Sequence, residues 1–98
     1  MSHLDENTSE SLNKLFDAIL SLQTEEECRA FFSDLCTVQE LKSFAQRLQV
    51  AQMLIDGNTY DAIRSQVPIS STTITRISTE LQYGSGGYRA VLCRNDGK

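Results

Sequence analysis

Apolar residues recur along the first half of the chain at three- and four-residue intervals, the spacing of one face of an α-helix. The first such stripe is formed by Leu12, Leu15, Phe16, Ile19 and Leu20, and two more follow before Gly57. Each stripe is preceded by a pair of residues spaced as a helix capping box. These pairs are Asn7 with Glu10, Thr24 with Glu27, and Thr37 with Glu40. The pattern predicts three helices, of which the third is the longest and ends at Gly57.

The second half of the chain predicts shorter helices. Thr59 can cap a helix that Pro68 ends, because proline lacks the amide hydrogen that a helix interior requires. Ser70 or Ser71 can cap the next helix, which ends in a glycine-rich turn, and a last short helix is predicted over 88–94. No segment alternates apolar and polar residues as a strand does, so the sequence predicts an all-α fold of about six helices.

The length of 98 residues predicts a single domain, 1–98. Within it we expect dimerisation helices over 7–57, a helix-turn-helix over 59–82, and a glycine turn with a C-terminal helix over 83–94. The first helices carry more aromatic stripe positions than so small a chain readily buries on its own. A homodimer is therefore favoured over a monomeric bundle.

The charges are distributed unevenly. Residues 1–40 hold nine acids and two bases, net −7, whereas residues 41–98 hold seven bases and four acids, net +3, and the total is −4. This asymmetry can indicate nucleic-acid or membrane contact by the basic half, but from charge alone two solvated faces of unequal composition are the favoured explanation. No apolar run reaches the ~18 residues of a membrane span, and no signal peptide is visible. We expect a cytoplasmic protein without membrane contact.

Residues suited to catalysis or metal binding are few. Cys28, Cys36 and Cys93 include no C-x-x-C pair, which fits reduced thiols in the cytosol. His3 is the only histidine, so neither a metal site nor a histidine-activated nucleophile is expected. The acids of 25–27 are interpreted as helix-start charges. The sequence predicts no enzyme, no metal and no cofactor.

The helices on either side of Pro68 have the spacing of a helix-turn-helix. The apolar positions that would hold the two helices together are Ile63, Val67, Ile69, Ile74 and Ile77. Arg64 replaces the small residue, and Pro68 the turn glycine, that are usual in this motif. A modified turn is one interpretation of these departures, and an ordinary helical hairpin has similar periodicity.

The second of these helices carries small hydroxyl residues and an arginine on its outward face. Such a face fits a helix in the DNA major groove, where hydroxyls bond bases or phosphates and a threonine methyl meets a thymine methyl. Helix capping explains Ser70 and Ser71 but not Thr75 and Thr79, because threonine is a poor interior helix former. The predicted DNA-binding residues are Arg64, Ser70, Ser71, Thr72, Thr75, Arg76 and Thr79, and Arg89 is a further candidate phosphate contact.

Two segments resemble the tryptophan repressor family, most closely its YerC/YecD-like subgroup. They are Thr-Ile-Thr-Arg at 73–76 and Leu-Gln-Tyr-Gly-Ser-Gly-Gly-Tyr at 81–88, and the Tyr60/Ile63 pair is also typical of the subgroup. The resemblance covers about residues 10–94. It implies six helices, an intertwined homodimer built from the first three helices and the last, one helix-turn-helix per subunit, and repression through operator binding.

The resemblance also implies a possible effector pocket. Thr37, Arg47 and Arg76 match the threonine and two arginines that hold the ligand in the tryptophan-responsive member. Ile77 replaces a glycine that makes room for the indole ring, and Glu80 replaces a serine near the ligand amino group. Ile77 is expected to fill this slot by volume. Whether a small-molecule effector binds this pocket therefore stays open, and its identity is not predicted. L-tryptophan is not expected to be the corepressor.

The function predicted from these features is a sequence-specific DNA-binding repressor acting on a double-stranded operator. Ser71, Thr72 and Thr75 match base-facing positions of the family but differ in identity, so the operator is expected to differ. The alternative, motivated by the net charge of −4 and the acidic first half, is a helical protein-interaction module without DNA binding.

Overall fold

The computed structural model describes residues 5–96 and folds them into six α-helices. They are α1 (Glu6–Leu20), α2 (Glu25–Leu35), α3 (Val38–Ile55), α4 (Tyr60–Gln66), α5 (Ser71–Tyr83) and α6 (Gly87–Asp96). Residues 5–96 contain no strand, so the all-α prediction is confirmed. Over the same range, no helix combines the length and the apolar character needed to cross a bilayer. His3 lies outside the described residues.

The chain divides into two compact units, residues 1–38 and residues 39–98. The first unit contains α1 and α2, and the second contains α3 from Gln39 onwards together with α4, α5 and α6. The single-domain organisation and the assignment of 7–57 to dimerisation stay predictions.

The start of α1 differs from the sequence prediction. Asp5 is the N-cap, and its Oδ1 accepts a hydrogen bond of 2.7 Å from the amide of Thr8. Asn7 lies inside the first turn, so the predicted box of Asn7 with Glu10 is wrong. Aspartate caps as well as asparagine and occurs two residues earlier, which extends the helix in that direction. The hydrogen bonds from Thr8 hold the pKa of Asp5 below its ordinary value.

The start of α2 agrees with the prediction. Thr24 Oγ1 accepts a hydrogen bond of 3.0 Å from the amide of Glu27. The Glu27 carboxylate accepts in return from the amide of Gln23, at 2.9 Å. The exchange satisfies the amide of Glu27, which the first helical turn leaves without a backbone partner, and the amide of Gln23 just before the helix.

No residue of α1 or α2 is buried. Phe16 remains 52% exposed and Leu20 82% exposed, although both belong to the apolar stripe of α1. In α2, Phe31 and Phe32 are half-buried, and their rings meet edge to face with centroids 5.5 Å apart. The first unit therefore has amphipathic helices without a buried core.

The second unit contains the core. It is formed by Val50, Ala51, Ile63, Val67, Ile74, Ile77, Leu81 and Leu92, which come from α3, from α4 and the turn after it, from α5, and from α6. The same unit leaves Phe44 and Leu48 of α3 about half exposed, at 48% and 45%. The core thus gathers around the two helices that flank Pro68.

Gly57 ends α3 as predicted. Its φ is +91°, a left-handed conformation that glycine adopts without strain. The amide of Gly57 donates to the carbonyl of Leu54 at 3.0 Å, and that of Asn58 to Met53 at 2.9 Å. These two bonds form a Schellman motif, which turns the chain sharply out of α3 towards α4.

Candidate nucleic-acid interface and adjoining cavity

The turn between α4 and α5 is built on proline. Val67, directly before Pro68, is extended (φ −125°, ψ 129°), the conformation favoured before proline. The amide of Ile69 then donates to the carbonyl of Val67 at 2.8 Å, closing a three-residue turn around Pro68. Among residues 5–96, only Gly57 and Gly86 have positive φ. The turn therefore needs no glycine at Pro68.

Apolar side chains hold α4 and α5 together. The two helices contact each other, and Ile63 and Ile74 are fully buried at 0% exposure. Val67 and Ile77 are also buried, and Ile69 packs against the same core. The apolar positions that the helix-turn-helix spacing singled out thus lie in one cluster.

The N-terminal end of α5 is capped by Ser70. Its Oγ accepts a hydrogen bond of 3.2 Å from the amide of Thr73 and lies 3.0 Å from Thr73 Oγ1. Ser71 is the first helical residue. Of the two candidate caps, Ser70 is therefore the one used.

The remaining hydroxyl residues lie on the exposed face of α5. Ser71, Thr72, Thr75 and Thr79 are all exposed, as is Arg76. Thr79 Oγ1 donates to the carbonyl of Thr75 at 3.0 Å, so its hydroxyl hydrogen is used within the helix. Within the described part of the chain, Arg76 makes no hydrogen bond or ion pair. The helix thus presents hydroxyl oxygens and one unpaired guanidinium to solvent.

Arg64 reaches from α4 to α5. Its Nη1 donates to Ser71 Oγ at 2.9 Å, and its Nη2 donates to Asp61 Oδ1 at 2.6 Å. The position that usually holds a small residue therefore accommodates arginine, because the side chain runs to the helix start and stays 47% exposed. The sequence analysis missed Asp61, whose spacing of three residues from Arg64 was the available signal.

The other end of α5 is fixed by Arg89 and Gly84. Arg89 Nε donates to the carbonyl of Leu81 at 3.2 Å, one of the carbonyls that a helix C-terminus leaves without an amide partner. A Cβ on Gly84 would lie 2.5 Å from the carbonyl oxygen of Glu80, so this close approach requires glycine. Arg89, a candidate phosphate contact, thus already has a partner within the protein.

A cavity of about 280 Å³ adjoins α5 within the second unit. Its lining residues are Arg47, Thr73, Arg76, Ile77, Glu80 and Tyr88. Two members of the predicted effector pocket, Arg47 and Arg76, are therefore brought together. Thr37 precedes α3 and belongs to the first unit. Ile77 is buried as expected, and the cavity lies beside it.

The sequence analysis did not assign Thr73 and Tyr88 to this cavity. The lining residues from α5 are spaced at intervals of three, one and three residues, which places them on one face of the helix: Thr73, Arg76, Ile77 and Glu80. This spacing was the available signal that they line one cavity. Tyr88 comes from α6, and nothing in the spacing along α5 indicates it. Metal binding has no comparable site, because residues 5–96 contain no cluster of three His, Cys, Asp or Glu side chains able to hold an ion.

The chain is similar to known proteins of one family. The family described as Trp repressor protein matches residues 10–96. The uncharacterized protein YerC of Bacillus subtilis (strain 168) is 46% identical over 91 residues, covering 93% of this chain and 88% of that protein.

Two solved structures share the fold. A candidate Trp repressor from Staphylococcus aureus is 47% identical, with a TM-score of 0.84 over 89% of this chain and 87% of that chain. A TrpR-like protein from Eubacterium eligens ATCC 27750 is 40% identical, with a TM-score of 0.85 over 89% of this chain and 90% of that one. From the family match, the six helices and these structures, we conclude that the chain belongs to the Trp repressor family.

Proposed function

We propose that this protein is a sequence-specific DNA-binding regulator of the repressor type, which acts in the cytoplasm on a double-stranded operator. The observation that carries the proposal is the exposed face of α5, where Ser71, Thr72 and Thr75 lie beside the unpaired guanidinium of Arg76. A helix with short side chains can approach the floor of the major groove closely, and hydroxyls can bond either bases or phosphates. No enzymatic activity is part of the proposal.

The proposed DNA-binding residues have different roles. Ser71, Thr72 and Thr75 read base edges, and Arg76 contacts a base or a phosphate. Thr79, one turn further along the helix, supplies an acceptor or a methyl group to the groove. Ser70 fixes the helix start through the amide of Thr73, and Arg64 reaches Ser71 from the neighbouring helix.

A homodimer is part of the proposal. Each unit leaves apolar side chains exposed that a second copy could cover: Phe16 and Leu20 of α1 in the first, and Phe44 and Leu48 of α3 in the second. Two copies related by a twofold axis would present two α5 helices, which matches the symmetry of a palindromic operator. The acidic first 40 residues would then form the body of the dimer and oppose loose adhesion to DNA.

The cavity beside α5 supports an effector site. Arg47 and Arg76 contribute two positive charges, and Glu80 contributes one negative charge to the same lining. An anionic small molecule fits this balance, because it would pair with the guanidiniums. Thr37 lies in the first unit and stays a prediction from the family resemblance, and L-tryptophan is not the ligand that we propose.

The Arg76→Ala variant tests the DNA-binding proposal. The experiment measures binding of labelled genomic fragments by fluorescence anisotropy at several salt concentrations, beginning at low ionic strength. We expect the substitution to weaken specific binding by about 1–3 kcal/mol, as for an arginine that contacts a base. Helix content should stay unchanged, because Arg76 is exposed.

Arg29→Ala is the matched control, since Arg29 is an exposed arginine of the first unit, whose partner is Glu25. Binding by this control should equal that of the wild type. A wild-type protein that binds no fragment at low salt, or binds with no salt dependence, would contradict the proposal, because phosphate contacts release counterions. Retention of a protein partner in that case would favour the interaction-module alternative.

A further inference from the structure

We propose that Arg64 is a positioning residue that sets the start of α5 and orients the Ser71 hydroxyl, and that it is not a phosphate contact. The proposal rests on the DNA-binding function proposed above. Both terminal nitrogens of the Arg64 guanidinium already donate hydrogen bonds. Nη2 donates to Asp61 on the same helix at 2.6 Å, and Nη1 donates to Ser71 at 2.9 Å. Arg64 thereby links the two helices of the motif across the Pro68 turn.

The ion pair with Asp61 limits what Arg64 can offer to DNA. The carboxylate neutralises the guanidinium, so the pair brings no net positive charge to the duplex. A phosphate drawn to Arg64 would also meet the negative charge of Asp61, which is 88% exposed. A guanidinium that contacts phosphate without such a competitor has the stronger interaction, and Arg76 is in that position.

The bond to Ser71 determines what that hydroxyl can do. A serine oxygen accepts up to two hydrogen bonds and donates one. Because Arg64 donates to this oxygen, one lone pair is taken, and the nearby positive charge disfavours a second donor. The Ser71 hydrogen stays free to point outwards. Ser71 is thus prepared to donate to an acceptor, such as a phosphate oxygen, guanine O6 or thymine O4.

Two substitutions at Arg64 separate positioning from phosphate contact. Arg64→Met removes the donors and keeps the apolar stem, and it is combined here and below with Asp61→Asn so that no unpaired carboxylate is left to repel DNA. Arg64→Lys keeps the charge and loses the fork. We expect both to weaken operator binding by at least about twofold, which is the lower range for coupled neighbours, with the slope of log affinity against log salt unchanged. A phosphate contact would behave differently: Arg64→Met would reduce the slope by about 0.9, and Arg64→Lys would leave binding close to that of the wild type. Either of these results would overturn the proposal.

A double-mutant cycle tests whether Arg64 acts through Ser71. Ser71→Ala alone should weaken binding, and adding Arg64→Met to it should cause little further loss, because the bridge is already broken. Additive losses would overturn the proposal. Arg29→Met is the matched control, since Arg29 makes a similar pair with Glu25 at 2.7 Å in the first unit. It should leave affinity and salt slope unchanged.

The same cycle measured by urea unfolding needs no DNA. If Arg64 links α4 to α5, the losses of stability from Arg64→Met and Ser71→Ala will not add in the double variant. Additive losses would overturn the proposal even if DNA binding is confirmed. Failure of the wild type to bind DNA would instead remove the DNA-binding function, and non-additive unfolding would still support Arg64 as the link between the helices.

Discussion

The two units of this chain use the same sequence pattern with different results. In the first unit, α1 and α2 have well-formed apolar stripes and capped starts, yet no residue of either helix is buried. In the second unit, α4 with 7 residues and α5 with 13 residues place Ile63 and Ile74 at 0% exposure. Apolar periodicity therefore predicts a helix, whereas burial depends on whether another apolar surface is available to cover the stripe.

This difference suits the separate tasks that we propose for the two units. The second unit has a core that fixes α4 against α5, which is what a helix-turn-helix requires to present one face with defined geometry. The first unit has exposed aliphatic and aromatic side chains with acidic residues around them, which suits a surface that a second copy covers. Four substitutions test the comparison.

The largest effect is expected in the core of the second unit. Ile74→Ala should lower the free energy of unfolding by about 2–5 kcal/mol, because it removes a fully buried side chain and leaves a cavity. Urea unfolding followed by circular dichroism measures the loss. A change well below about 2 kcal/mol, the lower end of the range for such a truncation, would mean that the core of this unit is not tightly packed.

A smaller effect is expected at Phe16 in the first unit. Its side chain is 52% exposed, so a covering second copy would bury the remaining half. Phe16→Ala should therefore cost about 1–2 kcal/mol per copy and shift the monomer–dimer equilibrium towards monomer. Sedimentation at several concentrations measures the shift. A wild type that is monomeric at every concentration would contradict the proposed dimer.

The helix caps allow a matched comparison between the units. Thr24→Ala and Ser70→Ala each remove one side-chain acceptor from a helix start, and each should cost about 1 kcal/mol of stability. Only Ser70→Ala should also weaken DNA binding, because it loosens the start of the proposed recognition helix. Anisotropy titrations of both variants measure this, and equal affinities would remove Ser70 from the interface.

The smallest effect is expected from L-tryptophan. Since Ile77 is buried beside the cavity and Glu80 lines it, addition of L-tryptophan should shift neither the melting temperature nor the operator affinity. A ligand that binds the native state must stabilise it, so a scan of thermal unfolding with and without the amino acid decides the question. A clear rise in Tm would show that the cavity accepts the indole ring.

The sequence alone predicts much of the fold, because capping and apolar spacing are local. The starts at Thr24, Thr59 and Ser70 and the stop at Gly57 agree with the structure. The predicted start of α1 was wrong because Asp5 and Asn7, two residues apart, compete as caps, and spacing does not rank them.

The sites were less accessible to sequence analysis. The link from Arg64 to Ser71 depends on the angle between two helices, and the place of Tyr88 in the cavity depends on how α6 packs. Neither angle nor packing is encoded in a spacing of three or four residues. Arg47 and Arg76 were predicted from the resemblance to a family, because members of a family share the packing that brings distant residues together. The structure places both side chains in the lining of one cavity.

The proline turn between α4 and α5 also bears on how quickly the protein could recognise DNA. Pro68 restricts the backbone, and the bond from Ile69 to Val67 closes the turn, so the two helices are arranged before any encounter. Little reorganisation should then delay association. Under the proposed function, diffusion and the charges near α5 would set the on-rate, and differences between operators would appear mainly in the lifetime of the complex.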